Sequence, residues 1–174
     1  MIIKKYGNHS PQLHPSVLVA ENAAIIGDVT MGENVNVWYS AVVRGDMASV
    51  VTVGAGTNIQ DNAVVHCDAG SPVQIGKNVV IGHGAIVHSC TVGDNCMLGM
   101  GAILLSGCKI GEGAIVGGGA VVSGNMEVPP HTLAVGLPAK VTKPVSKAQQ
   151  EYMRHDVEQY IETAKNELDT VGEE

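Results

Sequence analysis

Residues 92–122 read VGDNCMLGMGAILLSGCKIGEGAIVGGGAVV, and in them an aliphatic residue returns every six positions: Val92, Leu98, Leu104, Ile110, Val116 and Val122. The beat continues to Val128. Upstream it runs through Ile75, Ile81 and Val87, through Val53, Ile59 and Val65, and through Ile26, Met31, Val37 and Val43. A hexapeptide period is the signature of a parallel β-helix, in which each hexapeptide is one short strand plus a turn. Three make a triangular coil. The aliphatic residue points inward and stacks on its equivalent one coil away, so several coils are needed to close a core. The pattern predicts an all-β, left-handed parallel β-helix of about five coils over residues 1–140. A C-terminal α-helix, within residues 141–174, is expected to pack on it.

The beat slips in a few places. Met31 follows Ile26, and Val92 follows Val87, one residue early. The steps from Val43 to Val53 and from Val65 to Ile75 are each four residues too long. Each long step reads as a turn bulging from a corner. The second, Cys67-Asp68-Ala69-Gly70-Ser71-Pro72, is rich in turn formers.

Register sorts the histidines. Three steps from Val65 lead to Val87, so His66 and His88 are equivalent positions on successive coils, about 4.8 Å apart. Three steps back lead to Val43, which puts Arg44 on the same column. The same count stacks Asp61 beneath His83, with Gln60 beside Asp61. His83 follows its aliphatic residue by two rather than one and stands on a different strand. One chain thus offers a pair of histidines at one place and a single histidine elsewhere. A second copy packed about a three-fold axis could complete a set of three. Three neutral imidazoles with an open fourth position are the ligand set of a catalytic zinc.

The plainer reading is a surface ladder of histidines with no metal; the third histidine, Arg44 and Asp61 weigh against it. His9, His14, His131 and His155 lack such partners and read as ordinary surface residues. Gly117-Gly118-Gly119 falls on the beat with no helix start after it, so it is not a phosphate loop.

Three segments carry a family resemblance: Val42-Val43-Arg44-Gly45-Asp46, Thr57 to His66 with Gln60-Asp61 inside it, and Ile81-Gly82-His83 through His88-Ser89-Cys90. Together and in this order they resemble the γ-class carbonic anhydrases, and the similarity runs to about residue 140. The resemblance implies a homotrimer with metal sites between subunits. His66 and His88 would come from one subunit and His83 from the next. Zn²⁺ is the implied metal, with Fe²⁺ or Co²⁺ able to replace it because three histidines are not selective. The implied reaction is hydration of carbon dioxide to bicarbonate by metal-bound hydroxide. Gln60 would orient the water, and Arg44 would pair with Asp61 across the interface with Asp46 in support.

There are departures from the family pattern. Met47 stands where an acidic proton relay is found, and the loop from Cys67 to Pro72 is short, with Asp68 its one acid. The chain therefore looks like the short branch of the family, whose members often show weak or no measurable hydratase activity and include thioesterases. Two readings of another class stand beside it: a hexapeptide acyltransferase or metal-dependent acyl-coenzyme A thioesterase, and a non-catalytic metal-binding scaffold. A transferase of this fold generally carries a longer excursion for its acceptor than the two short bulges here. The fold by itself licenses none of these activities.

Composition agrees with a narrow core of stacked aliphatics: aromatics are 3% of the 174 residues and phenylalanine is absent. Net charge is −7, and residues 151–174 supply −6 of it. Nothing basic suggests a nucleic acid or an anionic membrane as partner. No signal peptide or membrane-spanning run is visible, which predicts a cytoplasmic protein. The four cysteines (67, 90, 96 and 108) form no Cys-x-x-Cys pair and are expected as reduced thiols. Cys67 is the one to watch, since it follows His66.

Val128-Pro129-Pro130 is expected to end the strand pattern, because proline cannot donate to a ladder. A helix is expected from Ser146, its N-cap. Met153, Val157, Tyr160, Ile161, Ala164 and Leu168 make one apolar stripe that covers a face of the prism. The resemblance adds that a helix tyrosine can approach the site, with Tyr160 the candidate.

Overall fold

The computed structural model describes residues 1–46 and 48–171. Met47, at the position of the relay departure, lies outside the described residues.

The chain winds as a parallel β-solenoid of about seven turns with three faces. The first face stacks Ile2–Lys4, Ala24–Gly27, Val42–Gly45, Val64–His66, Ile86–His88, Ile103–Leu104 and Val121–Val122. The second stacks Gln12–Leu13, Val29–Met31, Val51–Val53, Val73–Ile75, Thr91–Val92, Lys109–Ile110 and Glu127–Val128. The third stacks Leu18–Val19, Asn36–Val37, Asn58–Ile59, Val80–Ile81, Met97–Leu98, Ile115–Val116 and Thr132–Val135. The path runs from first face to second to third and back, once per coil.

Four strands, the whole first coil and the end of the last, were missed by the six-residue count. The first coil, with Ile2–Lys4, Gln12–Leu13 and Leu18–Val19, carries an irregular excursion between its strands that hides the period. At the other end the proline pair does not stop the pattern. Thr132–Val135 pairs parallel with Ile115–Val116 and then turns antiparallel onto Lys140–Pro144. Pro129 and Pro130 sit at a corner, where no ladder donor is needed. One step of the beat also shifts. Ile25, fully buried, pairs with Val43, whereas Ile26 faces outward beside Arg44. The early step at Met31 disappears once Ile25 is the inward residue; the early step at Val92 is real, because Val92 pairs with Ile75.

The core is the set of inward ladders. Ile25, Val43, Val65, Val87, Leu104 and Val122 stack on the first face and are all fully buried. Full burial of one such side chain is worth about 1.5–3 kcal/mol. The backbones of successive coils come so close at one corner that only glycine fits. A Cβ on Gly54 would lie 2.5 Å from the carbonyl carbon of Gly76.

The C-terminal helix spans Lys147–Glu167. Ser146 caps it in a capping box with Gln149. Met153, Val157 and Ala164 are buried. The helix lies across the third face, over Asn36–Val37, Asn58–Ile59 and Val80–Ile81. Its end leads to Asp169–Thr170, which adds antiparallel to Leu18–Val19. No described helix is long and apolar enough to cross a membrane.

Among the described residues, no helix covers the first face. Its outward ladder is Ile2, Ala24, Val42, Val64, Ile86, Ile103 and Val121, an unbroken aliphatic column. Ile2, Val64 and Ile86 are each more than a third exposed.

Candidate metal centre

The two edges of that bare face carry the histidines. At the edge shared with the second face, the register stacks Arg44, His66 and His88. At the edge shared with the third face, Asp61 lies beneath His83 and its carboxylate meets His83 Nδ1 at 2.7 Å. His83 sits on the turn that leads into Ile86–His88, and His88 stands at the far end of that strand. Within one chain the two stand on opposite edges of the first face. Among the described residues, no three His, Cys, Asp or Glu side chains gather closely enough to hold a metal.

The stacked pair is tightly organised. Asp46 accepts hydrogen bonds from Arg44 and from His66 Nε2, the latter at 3.1 Å. A carboxylate can only accept, so His66 carries a proton on Nε2. In the neutral ring, Nδ1 then presents a lone pair, and it faces His88 Nε2 at 3.1 Å. His88 Nδ1 meets the Ser106 hydroxyl at 3.1 Å, and that hydroxyl donates to Asp68 at 3.0 Å. A hydroxyl has one proton; with it given to Asp68, the oxygen accepts from His88 Nδ1–H. His88 Nε2 is therefore also a lone pair. Two lone pairs converge at a separation close to the edge of a tetrahedron with metal–nitrogen bonds of about 2.0–2.1 Å. The donor set fits a divalent ion of the zinc type.

His83 is prepared the same way. Asp61 fixes its proton on Nδ1 and leaves Nε2 as an acceptor, 3.4 Å from the Tyr160 hydroxyl. Tyr160 is held by an edge-on contact with Trp38, centroids 5.3 Å apart. Burial, with Asp156 and Asp61 nearby, pushes its phenol up to about 12. It is thus a hydrogen-bond donor at neutral pH. Gln60 is nearly buried; it donates to Asn58 Oδ1 at 3.1 Å and accepts from the His83 backbone N–H at 3.2 Å.

Electrostatics follow from these contacts. Burial pushes the Asp46 carboxyl up, but the hydrogen bonds from Arg44 and His66 outweigh it and hold it below its ordinary value. Within one chain Arg44 is engaged by Asp46, and Asp61 by His83.

Some of the surroundings escaped the sequence. Asp156 lines a small cavity of about 190 Å³ with Gln60, His83, Tyr152 and Tyr160, and burial raises its carboxyl. Its signal was the spacing of Tyr152, Asp156 and Tyr160, four apart on one helix face. Ser106 and Asp68 gave no signal, because their meeting depends on a loop closing across two coils. His9 and His14 do have partners: His9 meets Asp28 at 3.0 Å and His14 the Ser16 hydroxyl at 2.8 Å. Cys67 points into the core, with its Sγ against the carbonyls of Ser49 and Arg44 at 3.6 and 3.9 Å.

A family described as bacterial transferase hexapeptide (six repeats) matches residues 89–124. The chain is 38% identical to a carbonic anhydrase of Geobacillus kaustophilus, over 92% of this chain and 88% of that protein. It is 41% identical to a probable carbonic anhydrase of Methanocaldococcus jannaschii, over 86% of this chain and 94% of that one. The chain belongs to the γ-class carbonic anhydrase family of hexapeptide-repeat proteins. Among solved structures, this γ-class chain superposes on a hexapeptide transferase family protein from Anaplasma phagocytophilum with a TM-score of 0.91 and 37% identity, over 95% of this chain and 97% of that one.

Proposed function

We propose that the protein is a metal-dependent carbonic anhydrase, hydrating carbon dioxide to bicarbonate and a proton at sites shared between subunits of a homotrimer. The observation that carries this is the division of the histidines: two facing lone pairs at one edge of the bare aliphatic face and a third prepared imidazole at the other edge. Three prisms turning that face toward a common axis bring one edge of each subunit against the opposite edge of the next, a closed cyclic arrangement.

Heights along the prism support the same assembly. A rotation axis parallel to the prism preserves height. His66 lies one coil, about 4.8 Å, below His88, while His83 precedes His88 by less than a third of a coil and so lies roughly 1.5 Å below it. The neighbour's His83 thus falls between the two stacked histidines. By the same count the neighbour's Asp61 falls between Arg44 and His66, within reach of the Arg44 guanidinium. The aliphatic column from Ile2 to Val121 becomes buried in the interface.

His66, His88 and the neighbour's His83 would hold the ion, with Zn²⁺ the best match to three imidazoles and Fe²⁺ or Co²⁺ as substitutes. A bound ion of this kind makes a water molecule acidic enough to ionise near neutral pH. The chain's own groups do the rest. Asp46, Asp61 and the Ser106–Asp68 pair hold the imidazole orientations. Gln60, fixed by Asn58, keeps hydrogen-bonding capacity beside the nucleophile. Tyr160 donates a hydrogen bond into the same space. Asp156, its carboxyl raised by burial, stands where a proton leaving the site can be accepted.

The transferase relative favours a second reading, acyl chemistry on the same scaffold. One experiment separates them. Purified protein is stripped, reloaded with Zn²⁺ or Fe²⁺, and assayed for carbon dioxide hydration and for acyl-coenzyme A hydrolysis. Metal-dependent hydration that His66→Ala abolishes supports the proposal. Hydration absent from every metal form, or unaffected by His66→Ala, defeats it.

A further inference from the structure

We infer that Ser106 and Asp68 are positioning residues that fix the tautomer of His88. The inference rests on the proposed metal site but concerns the side chains behind it. His66 and His83 each lean directly on a carboxylate, at 3.1 Å from Asp46 and 2.7 Å from Asp61. His88 has no carboxylate that close; Asp68 Oδ2 is 3.6 Å from its Nδ1. The Ser106 hydroxyl bridges the gap, at 3.1 Å from the ring and 3.0 Å from the carboxylate.

The bridge is built, not incidental. Asp68 opens the short loop after His66, which closes on itself through a hydrogen bond from the Ser71 backbone N–H to the Asp68 carbonyl, 3.1 Å. The Asp68 backbone N–H is clamped by the Ser89 hydroxyl at 2.7 Å. Ser89 is buried and sits at the early step between Val87 and Val92, where the corner is one residue tighter. Ser106 follows Leu104, the residue stacked on Val87, by two. The loop therefore reaches upward past its own coil to a serine two coils above, and all three anchors converge behind His88.

Its chemical consequence is a choice of tautomer. The serine proton is committed to Asp68, so the serine oxygen can only accept, and His88 must keep its proton on Nδ1. That leaves Nε2 bare toward His66. Without the hydroxyl, His88 is free to place the proton on Nε2, where it blocks the lone pair that a metal would use. Partners of this kind typically change metal affinity by about 10–100-fold.

The test uses the full-length protein labelled with ¹⁵N-histidine. In metal-free wild type, the His88 signals should show a protonated Nδ1 and a bare Nε2. In Ser106→Ala they should move toward the opposite tautomer, and the Kd for Co²⁺, measured by chelator competition, should rise about 10–100-fold. Ser106→Thr, which keeps the hydroxyl, should hold both near wild type. The inference is overturned if Ser106→Ala, folded by circular dichroism, leaves the His88 tautomer unchanged, or if Ser106→Thr loses as much as Ser106→Ala. A wild type that binds no Co²⁺ overturns the proposed metal function instead, and the tautomer in the metal-free protein still decides this inference.

Discussion

At the scale of single residues, the site is a set of imidazoles each aimed by an oxygen behind it. The Asp61–His83 contact is the shortest of these and involves no bridge. Asp61→Asn keeps the size and loses the charge and the purely accepting carboxylate. It should weaken Co²⁺ binding by about 10–100-fold in chelator competition, and unchanged affinity would contradict the role assigned to it. Tyr160 offers a test in pH. Its folded-state pKa is raised to about 12, above the unfolded value near 10. A raised pKa contributes stability that is complete below about pH 10 and is lost as pH climbs toward 12. Between those limits wild type should lose stability faster than Tyr160→Phe, followed by denaturant melts at stepped pH. Equal losses would mean that the phenol does not sit in its buried place.

The histidines and Arg44 could be assigned to columns from the sequence because register in a solenoid is a matter of counting. His66 pairs with His88 and Arg44 as the count requires. Ser106 and Asp68 could not, because their contact is made by the path of a loop, which no period describes. Nor did counting foresee that Arg44 is engaged by Asp46 within its own chain.

At the scale of elements, the hexapeptide strand is short and depends on its neighbours above and below. The six-residue beat identified it wherever the corners were regular. It failed in the first coil, where residues between Lys4 and Gln12 leave the prism, and after Pro130, where the chain resumes pairing. At Ile25-Ile26 two adjacent isoleucines made the inward position ambiguous; the pairing with Val43 resolves it. The corner glycines are the stiffest requirement of this element. Gly54→Ala places a methyl 2.5 Å from the Gly76 backbone, which cannot rotate away. It should cost about 1–3 kcal/mol or more and lower the Tm of thermal unfolding. A Tm equal to wild type would mean that adjacent coils are not this close.

At the scale of the whole molecule, the helix lies on the third face, and among the described residues no helix covers the first. Ile86 stands in the middle of that face, between the two histidine edges, and is 37% exposed. Ile86→Glu leaves the inward ladder intact but places a charge in the proposed interface. The variant should remain folded, sediment as a monomer and bind metal poorly. A stable trimer would contradict the assignment of this face. The most direct test of the account is complementation. His83→Ala and His88→Ala each destroy every site in a homotrimer, but a mixed trimer regains one site, where an intact His66–His88 edge meets an intact His83. Co-expressed in equal amounts and purified as mixed trimers, the two variants should recover about one third of wild-type metal and hydratase activity, while each variant alone recovers none. No recovery in trimers shown by mass spectrometry to be mixed would contradict the claim that the centre is shared between subunits.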